Sequence, residues 1–403
     1  MTVRTTRTAP APRPPAPASP VTLLILGAGW TYQFLEPVLG REKISHAATT
    51  TTGRGSTIPF RFDSDSDDLT PFQALPDADY VLVTFPLKGR GPSTKLVRLY
   101  NETRHGQLRD SRAPAEWGSG HEHEHGDDHS HFSEDTNVGV AGSAKWIQLG
   151  STGIWTTAAW NDESSAVNGT NARAVAEDEL IALGGCVLNL AGLYGGGRNP
   201  RNWIARVAGS KKQLGEKGAL HLIHGHDVAR AVVGVVRTDR DRLDPKSGPD
   251  ELIDHVQNSD KNYNNYKNND DDDNNNNSGN AKLRNHLDSD ITGKDAGLEP
   301  VFGRRWIVAD CVSYDWWSLV WDWMGESAEK RESERESEPA SDHKTDQYDD
   351  RSTKTQYRRW VAELMDENNV RGLPRSTELL GRKLDARRFW KTIGILPDRS
   401  LAR

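Results

Sequence analysis

The sequence predicts an α/β protein built on a doubly wound parallel sheet, with a smaller, mostly helical C-terminal lobe and several disordered inserts. Apolar runs of strand length alternate with helical patterns, which is the order that a parallel sheet requires. The first run, Val21–Leu26, is continuously apolar, as expected of a strand buried on both faces. Polar low-complexity tracts interrupt this alternation, and they contain too little apolar surface to form a core.

The strands and helices follow from the apolar patterns and from the turn residues between them. Predicted strands are Val21–Leu26, Ile44–Thr51, Tyr80–Phe85, Lys145–Gly150, Cys186–Leu190, Leu220–Ile223 and Arg305–Ala309. Predicted helices are Gln33–Leu39, Lys95–His105, Ala172–Leu183, Asp227–Val236, Ser313–Gly325, Tyr357–Asp366 and Thr377–Trp390.

Composition divides the 403 residues into a folded part and polar tracts. The expected division is a disordered leader (1–20), a sheet domain (21–238) with a His-rich insert (118–135), a disordered Asn/Asp-rich insert (239–297), and a C-terminal lobe (298–403) that contains a disordered insert (326–355). Five histidines between His121 and His131 alternate with other residues, but no scaffold fixes a ligand geometry, so no metal site is predicted.

The formal net charge of -7 and the concentration of acidic residues in polar tracts favour a small-molecule substrate over nucleic acid or anionic lipid. Only Cys186 and Cys311 occur; we expect both to be buried and reduced. No apolar run approaches the ~20 residues that a membrane span needs. We therefore expect a cytoplasmic protein, with mitochondrial import as the alternative because the leader contains three arginines and no acid. The oligomeric state is not predicted.

A glycine-rich turn joins the first strand to the first helix. Gly27 allows a tight turn, and Gly29 lets the backbone approach a pyrophosphate at the helix N-terminus. This context predicts a Rossmann-type site for a nicotinamide dinucleotide. Tyr32 stands where a third glycine is usual, so either the helix is displaced or Tyr32 turns outward. The residues assigned to the cofactor here are Gly27, Gly29, Trp30, Thr31 and Tyr32.

The second strand ends without an acidic residue that would bind a ribose diol. Thr52 and Arg54 are present instead, and a guanidinium can bind a 2′-phosphate bidentately. NADP is therefore favoured, with NAD as the alternative. The competing interpretation is that Arg54 is a solvated loop arginine. Asp63, after Phe60-Arg61-Phe62, is expected near the adenine.

Five successive motifs give the chain a wider resemblance. They are Gly27–Gly29, Thr84-Phe85-Pro86, Gly150-Ser151-Thr152-Gly153-Ile154-Trp155, the run from Leu190 to Pro200, and His224-Gly225-His226-Asp227-Val228-Ala229. In order and spacing they resemble the extended short-chain dehydrogenase/reductases, also called the NAD-dependent epimerase/dehydratase family, over about Val21–Arg237. The resemblance implies a seven-stranded Rossmann sheet, a dinucleotide held partly by Thr84, Phe85 and Pro86, and a catalytic Ser/Thr–Tyr–Lys set.

The catalytic set that the resemblance implies is only partly present. Ser151 or Thr152 matches the hydroxyl position, with Ser151 better aligned. The expected Tyr-x-x-x-Lys is missing where it should fall: Gly169 takes the tyrosine position and Arg173 the lysine position. Arginine is a poor replacement because its high pKa and planar head do not tune a phenol. The chain is therefore an atypical member by this resemblance.

Other residues are candidates for the missing acid–base group and for the substrate. Tyr194, after the sixth strand, is a candidate near the nicotinamide, and His224 and Arg198 are assigned to the substrate. The alternatives are a packed loop aromatic for Tyr194 and a hydrogen-bonded turn residue for His224.

Two function classes follow, and a third stays open. The first is an NADP-binding oxidoreductase or epimerase/dehydratase-like enzyme acting on a small hydroxyl or carbonyl metabolite. The second is a non-catalytic NADP-binding sensor that is read by a protein partner, which the missing Tyr–Lys pair favours. A scaffold whose inserts carry the interactions would require an unoccupied glycine turn.

Overall fold

The protein is described from a computed structural model, which covers residues 19–110, 143–243, 299–325 and 346–401. Most of the predicted leader and of the three inserts lies outside these ranges, including the histidines between His121 and His131. Two insert boundaries are wrong, because residues 239–243 complete one helix and residues 346–355 begin another.

Seven parallel strands form the main sheet, the number that the family resemblance implies. They are β1 (Val21–Leu26), β2 (His46–Thr50), β3 (Ile58–Pro59), β4 (Ala78–Val83), β5 (Lys145–Ser151), β7 (Cys186–Leu190) and β11 (Arg304–Val308), and their order is β11-β7-β5-β4-β1-β2-β3. The predicted strand Leu220–Ile223 is not among them: its residues contribute to two separate two-stranded sheets, and a short strand at Ile58–Pro59 is the seventh. The chain leaves β1 toward β2 on one side and later returns to β4 on the other. The carboxyl ends of β1 and β4 therefore form a topological switch point, where open α/β sheets bind ligands.

Helices cover both faces of the sheet. One face carries α1 (Gly29–Arg41) and α7 (Gly225–Leu243), which pack side by side, and a last short helix, α10 (Arg387–Thr392). The other face carries α2 (Thr70–Gln73), α3 (Pro92–Asp110) and α4 (Ala172–Ala182). Each strand of the sheet centre sends alternate apolar side chains into the two cores, which explains why its sequence is continuously apolar.

A third core belongs to the smaller lobe. It contains α5 (Ile204–Val207), α6 (Lys211–Gly215), α8 (Trp316–Trp323) and α9 (Asp346–Glu367), with short strands β8 (Gly192–Tyr194), β9 (Ala219–Leu220), β10 (Leu222–His224) and β12 (Tyr314–Asp315). Trp316, Trp317 and Trp323 are buried in it, so the tryptophan-rich helix is a packing element.

Three predictions for the C-terminal half are wrong. The strand predicted at Arg305–Ala309 pairs with β7 and completes the main sheet, although the sequence placed it in the lobe. Thr377–Trp390 is not one helix: after a 3₁₀ turn at Thr377–Leu380, Gly381 takes φ +65°, and β13 (Lys383–Leu384) pairs with β6 (Trp160–Asn161). Cys311 is exposed, whereas Cys186 is buried as expected.

A buried ion pair ties the start of α8 to the following chain. The Asp315 carboxylate accepts a hydrogen bond from the Trp317 amide at 3.0 Å and two from the Arg375 guanidinium at 2.6 and 3.0 Å. Both side chains are almost fully buried, and the Arg375 guanidinium lies 3.8 Å from the Trp317 ring centroid.

We expect Asp315→Ala to lower the free energy of unfolding by about 3–5 kcal/mol, because it leaves the Arg375 cation buried without a partner. Denaturant unfolding followed by circular dichroism measures this change. The matched control is Arg387→Ala, which removes an exposed pair with Asp385 and should cost less than about 1 kcal/mol. Equal costs for the two variants would contradict the stabilising role of the buried pair.

Candidate functional site

Hydrogen bonds join the glycine turn to the two strands that flank β1. The Gly27 amide donates to Thr49 Oγ1 on β2 at 2.9 Å, and the Thr84 hydroxyl after β4 donates to the Gly27 carbonyl. Gly27 has φ +93°, and a Cβ there would lie 2.7 Å from Thr84 Oγ1. Only glycine fits at this position.

Beyond this turn, α1 presents free amides to the carboxyl edge of the sheet. The amide of Tyr32 makes the first helical hydrogen bond, to the Ala28 carbonyl at 2.9 Å, so the amides of Gly29, Trp30 and Thr31 precede the intrahelical ladder. Apart from its chain neighbours and the backbone of α1, no described atom lies within 4 Å of the place where a Cβ of Gly29 would stand. The turn therefore has room for a ligand where helix amides and the helix dipole favour an anion.

Tyr32 turns outward, which is one of the two alternatives that the sequence leaves open. Its ring is half-buried with an edge toward His46, and its hydroxyl donates to the exposed Glu36 carboxylate at 3.3 Å. The missing third glycine therefore does not obstruct the turn.

A second glycine-rich turn, after β8, packs on the start of α1. Gly195 and Arg198 exchange backbone hydrogen bonds of 2.9 and 3.0 Å, and the Trp30 indole donates to the Gly195 carbonyl at 3.1 Å. The Arg198 guanidinium stacks on Trp30, 4.3 Å from the ring centroid. Arg198, predicted as a substrate residue, thus lies beside the glycine turn and supplies a positive charge there.

The other cofactor candidates follow the neighbouring strands. The rings of Phe62 and Phe85 are nearly parallel, with centroids 6.4 Å apart, and Phe85 adjoins Gly27. Thr52, Arg54, Asp63 and Pro86 are exposed. The Asp63 carboxylate accepts the Asp65 amide at 2.9 Å, while Arg54 forms no ion pair within the described ranges. Their predicted roles stay predictions.

The two candidate hydroxyls at the end of β5 differ in burial and in hydrogen bonding. Thr152 is buried, and its hydroxyl donates to the Leu190 carbonyl at 3.3 Å. Ser151 is half-buried; its oxygen accepts the Gly153 amide at 3.2 Å and caps the short turn that follows. The Ser151 hydroxyl proton has no acceptor among the described residues. Ser151 is therefore the hydroxyl that is available to a ligand.

A buried polar cluster lies beneath Ser151, and the sequence reasoning did not identify it. The Asn189 amide donates to the Ser151 carbonyl at 3.2 Å and to the Glu177 carboxylate at 2.8 Å, and Arg305 donates to the same carboxylate at 3.2 Å. Gly150 has no space for a side chain, since its Cβ would lie 2.5 Å from both Glu177 and Asn189. The signal that was available is Asn189 itself, a polar residue within a fully buried strand.

Burial dominates the electrostatics of this cluster. It raises the pKa of Glu177, while the Asn189 hydrogen bond and the Arg305 charge act in the opposite direction. Paired in this way, the cluster fixes the backbone of Ser151 without adding net charge.

Arg173 and Gly169, at the expected lysine and tyrosine positions, form no hydrogen bond to Ser151 in the described structure. Arg173 lies in the first turn of α4, whose N-cap is Asn171, and it forms no ion pair in the described structure. Gly169 is exposed in the preceding loop. Within the described residues, no tyrosine hydroxyl hydrogen-bonds to Ser151.

Tyr194 and His224 pack together next to α1. Their ring centroids are 5.0 Å apart, and His224 also contacts Phe34 at 5.4 Å. Burial raises the pKa of Tyr194, and the Asp310 and Asp227 carboxylates raise it further, so the phenol is neutral. Burial lowers the pKa of His224, whose Nδ1 accepts the His226 amide at 3.1 Å. This arrangement agrees with a packed aromatic and a hydrogen-bonded turn histidine.

The structure thus brings Gly27, Gly29, Trp30, Thr84 and Arg198 to one place. In the described ranges, no three metal-binding side chains cluster, and no helix has the length and apolarity that a membrane span requires.

No protein-family model matches the chain, and no curated protein matches it. Solved structures show a distant likeness. A protein described as an NAD-dependent epimerase/dehydratase, from Methylobacillus flagellatus, is 12% identical with a TM-score of 0.40, over 94% of each chain. A functionally unknown conserved protein from Silicibacter pomeroyi is 14% identical with a TM-score of 0.41, also over 94% of each chain.

A further likeness is to UDP-glucose 4-epimerase from Bifidobacterium longum, in complex with NAD+ and UDP. It is 14% identical, with a TM-score of 0.33, over 54% of this chain and 74% of its own. The roles of the residues described above are accordingly inferred from this chain's own geometry.

Proposed function

We propose that the chain binds a nicotinamide dinucleotide, NADP in preference to NAD, and acts as an oxidoreductase or epimerase/dehydratase-like enzyme on a small hydroxyl or carbonyl metabolite. The observation that carries the proposal is the glycine turn at the switch point between β1 and β4, with open space at Gly29 and free amides at the start of α1.

The residues around this turn fit a pyrophosphate. The amides of Gly29, Trp30 and Thr31 are available as donors, and the positive end of the helix dipole adds a favourable field. The Arg198 guanidinium, which forms no ion pair in the described ranges, lies on Trp30 beside these amides. We infer that these groups hold the two phosphates.

The nucleotide end fits the strands beyond the turn. Phe62 and Phe85 offer aromatic surface after β3 and β4, suited to an adenine. Arg54 lies in the exposed loop after β2, and its guanidinium is the group that would bind a 2′-phosphate. This loop has no acidic side chain that would bind a ribose diol or repel a 2′-phosphate.

A bound nicotinamide supplies hydride transfer, and the chain's own residues have to orient the substrate. Ser151 is the residue that would donate a hydrogen bond to the reacting oxygen, because its proton is free and its backbone is fixed by Asn189. The neutral Tyr194 phenol is a weak proton donor and a poor base. The reaction therefore depends on Ser151 and on the substrate's own acidity or on solvent.

A second candidate is a non-catalytic NADP-binding protein. One observation favours it: Arg173 and Tyr194, the residues that would replace the missing Tyr–Lys pair, form no hydrogen bond to Ser151 in the described structure. In that case the bound cofactor would determine the conformation of the protein, and a protein partner would recognise that conformation.

We expect calorimetric titration to show NADPH binding to the full chain, and Gly29→Asp to abolish it, since a carboxylate in the open space would repel the phosphates. The matched control is Gly303→Asp, at another glycine with positive φ and open space but far along the chain near β11. Binding that survives Gly29→Asp would contradict the assigned site.

We expect Arg54→Ala to weaken NADPH binding about tenfold and to leave NADH binding unchanged, because only NADPH carries the 2′-phosphate. Arg359→Ala, on the exposed face of α9, is the control for a general loss of positive charge. An unchanged preference for NADPH in Arg54→Ala would show that our account of cofactor choice is wrong.

The two candidate functions are separated by testing a panel of aldehydes, ketones and nucleotide sugars both for NADPH consumption and for substrate conversion with bound cofactor. Both readouts are needed because an epimerase or dehydratase regenerates its cofactor and consumes none. For an enzyme, Ser151→Ala should lower the rate by about 10²-fold without changing NADPH affinity, because it removes an oriented donor to the reacting oxygen. Ser164→Ala, in an exposed loop, is the control. Tight NADPH binding with neither consumption nor conversion of any substrate would favour the non-catalytic candidate.

A further inference from the structure

We propose that Arg382 and Lys383, beside the end of β5, form a binding site for an oxyanion, and that the substrate carries a carboxylate or a phosphate. The assignment of the bound anion as a substrate rests on the proposed function. The anion site itself rests only on the contacts described below.

Arg382 lies against the turn that follows Ser151, the candidate hydroxyl residue. Arg382 Nη1 donates to the Thr152 carbonyl at 2.9 Å and to the Trp155 carbonyl at 3.4 Å. Both carbonyls belong to the turn that Ser151 caps. The pairing of β13 with β6, Lys383 opposite Trp160, holds this segment in place. The guanidinium therefore lies at the carboxyl edge of the sheet, next to Ser151.

Neither cation has a carboxylate partner in the described part of the chain. Lys383 is only 6% exposed, and its ammonium donates to the Gly381 carbonyl at 2.9 Å. By contrast, the buried Arg305 and Arg375 pair with Glu177 and Asp315. Buried charges are normally paired, so a buried Lys383 beside a half-buried Arg382, both without a carboxylate partner, indicate that an anion binds there.

The nearby titratable groups do not compensate these charges. Asp385 pairs with Arg387, and the exposed Glu378 accepts a hydrogen bond from Thr377 at 3.2 Å. His221 Nε2 accepts the Leu384 amide at 3.1 Å, so its single proton is on Nδ1. Burial, helped by the Arg382 charge, lowers the pKa of His221 to about 4, which keeps this ring neutral. The Lys383 charge helps to lower the pKa of the exposed Glu378, but no carboxylate of the described ranges lies within ion-pair distance of Lys383 or Arg382.

The remaining donors suit an oxyanion. A guanidinium has five N–H donors, and the Nε and Nη2 groups of Arg382 have no acceptor in the described ranges, which leaves one edge for bidentate binding. Trp160 is 54% exposed, and the Lys383 ammonium lies 5.9 Å from its ring centroid. The body of a ligand can therefore lie on the indole while its hydroxyl or carbonyl approaches Ser151. Hydroxy or keto acids and phosphate esters have this chemistry.

The test titrates inorganic phosphate and malonate separately into the full chain, at constant ionic strength in chloride, with calorimetry as the readout. At least one anion should bind saturably to the unchanged protein. Arg382→Gln should weaken that binding at least tenfold, because it removes the bidentate charge. Arg387→Gln is the matched control on the same segment; its side chain is 83% exposed, and binding should not change. Binding of phosphate indicates a phosphate ester, and binding of malonate a carboxylate.

Phosphate can also bind at the glycine turn, so the titration is repeated in Gly29→Asp. The Arg382-dependent binding should persist there, which separates failure of this site from failure of the dinucleotide site. If Arg382→Gln does not fold, as judged by circular dichroism, Lys383→Gln has to show the weakening. The inference is overturned if neither anion binds saturably, or if the folded variants bind as tightly as the unchanged protein.

Discussion

The contact on which the candidate site depends is the hydrogen bond from the Thr84 hydroxyl to the Gly27 carbonyl. It joins the ends of β1 and β4, which are paired in register up to Leu26 and Val83. Gly27 can follow this path only because it has no side chain. The turn then aims the first amides of α1 at the carboxyl edge of the sheet, and the Trp30–Arg198 stack forms around them.

The sequence predicted the sheet well because its strands are buried on both faces. Cys186–Leu190 is apolar apart from Asn189, and the strand has the predicted bounds. The C-terminal segment failed for the opposite reason. Leu380 and Leu384 are buried four residues apart, as on one face of a helix, but Gly381 ends the first turn, and β13 pairs with a strand more than two hundred residues earlier. A strand partner so distant in the sequence leaves no pattern among the residues next to β13.

The candidate site likewise contains local features, which could be predicted from the sequence, and contacts between distant residues, which could not. The glycine turn and the Ser151 cap are local, so their positions could be predicted from adjacent residues. The Trp30–Gly195 bond spans 165 residues, the Arg305–Glu177 pair spans 128, and the Arg382–Thr152 bond spans 230. Topology brings these residues together, and no spacing in the sequence indicates it. Arg198 is an example: it is predicted to contact the substrate, and the structure places it on Trp30 beside the glycine turn.

The distribution of charge is a property that the glycine turn and the turn after Ser151 share. Beneath Ser151 the Glu177 carboxylate is neutralised by Arg305, and nearer α7 the Asp227 carboxylate binds Arg230. Within the described ranges, Arg54 after β2 and Arg198 after β8 form no ion pair, and Arg382, before β13, donates to backbone carbonyls. Acidic side chains also follow the strands of the main sheet: Asp63 after β3 is exposed, and burial raises the pKa of Asp310 after β11 to about 7. The unpaired positive charge is therefore local to the glycine turn and to the turn after Ser151. The functions we propose need it at these two places, because an anion gains most from cations that no carboxylate already pairs.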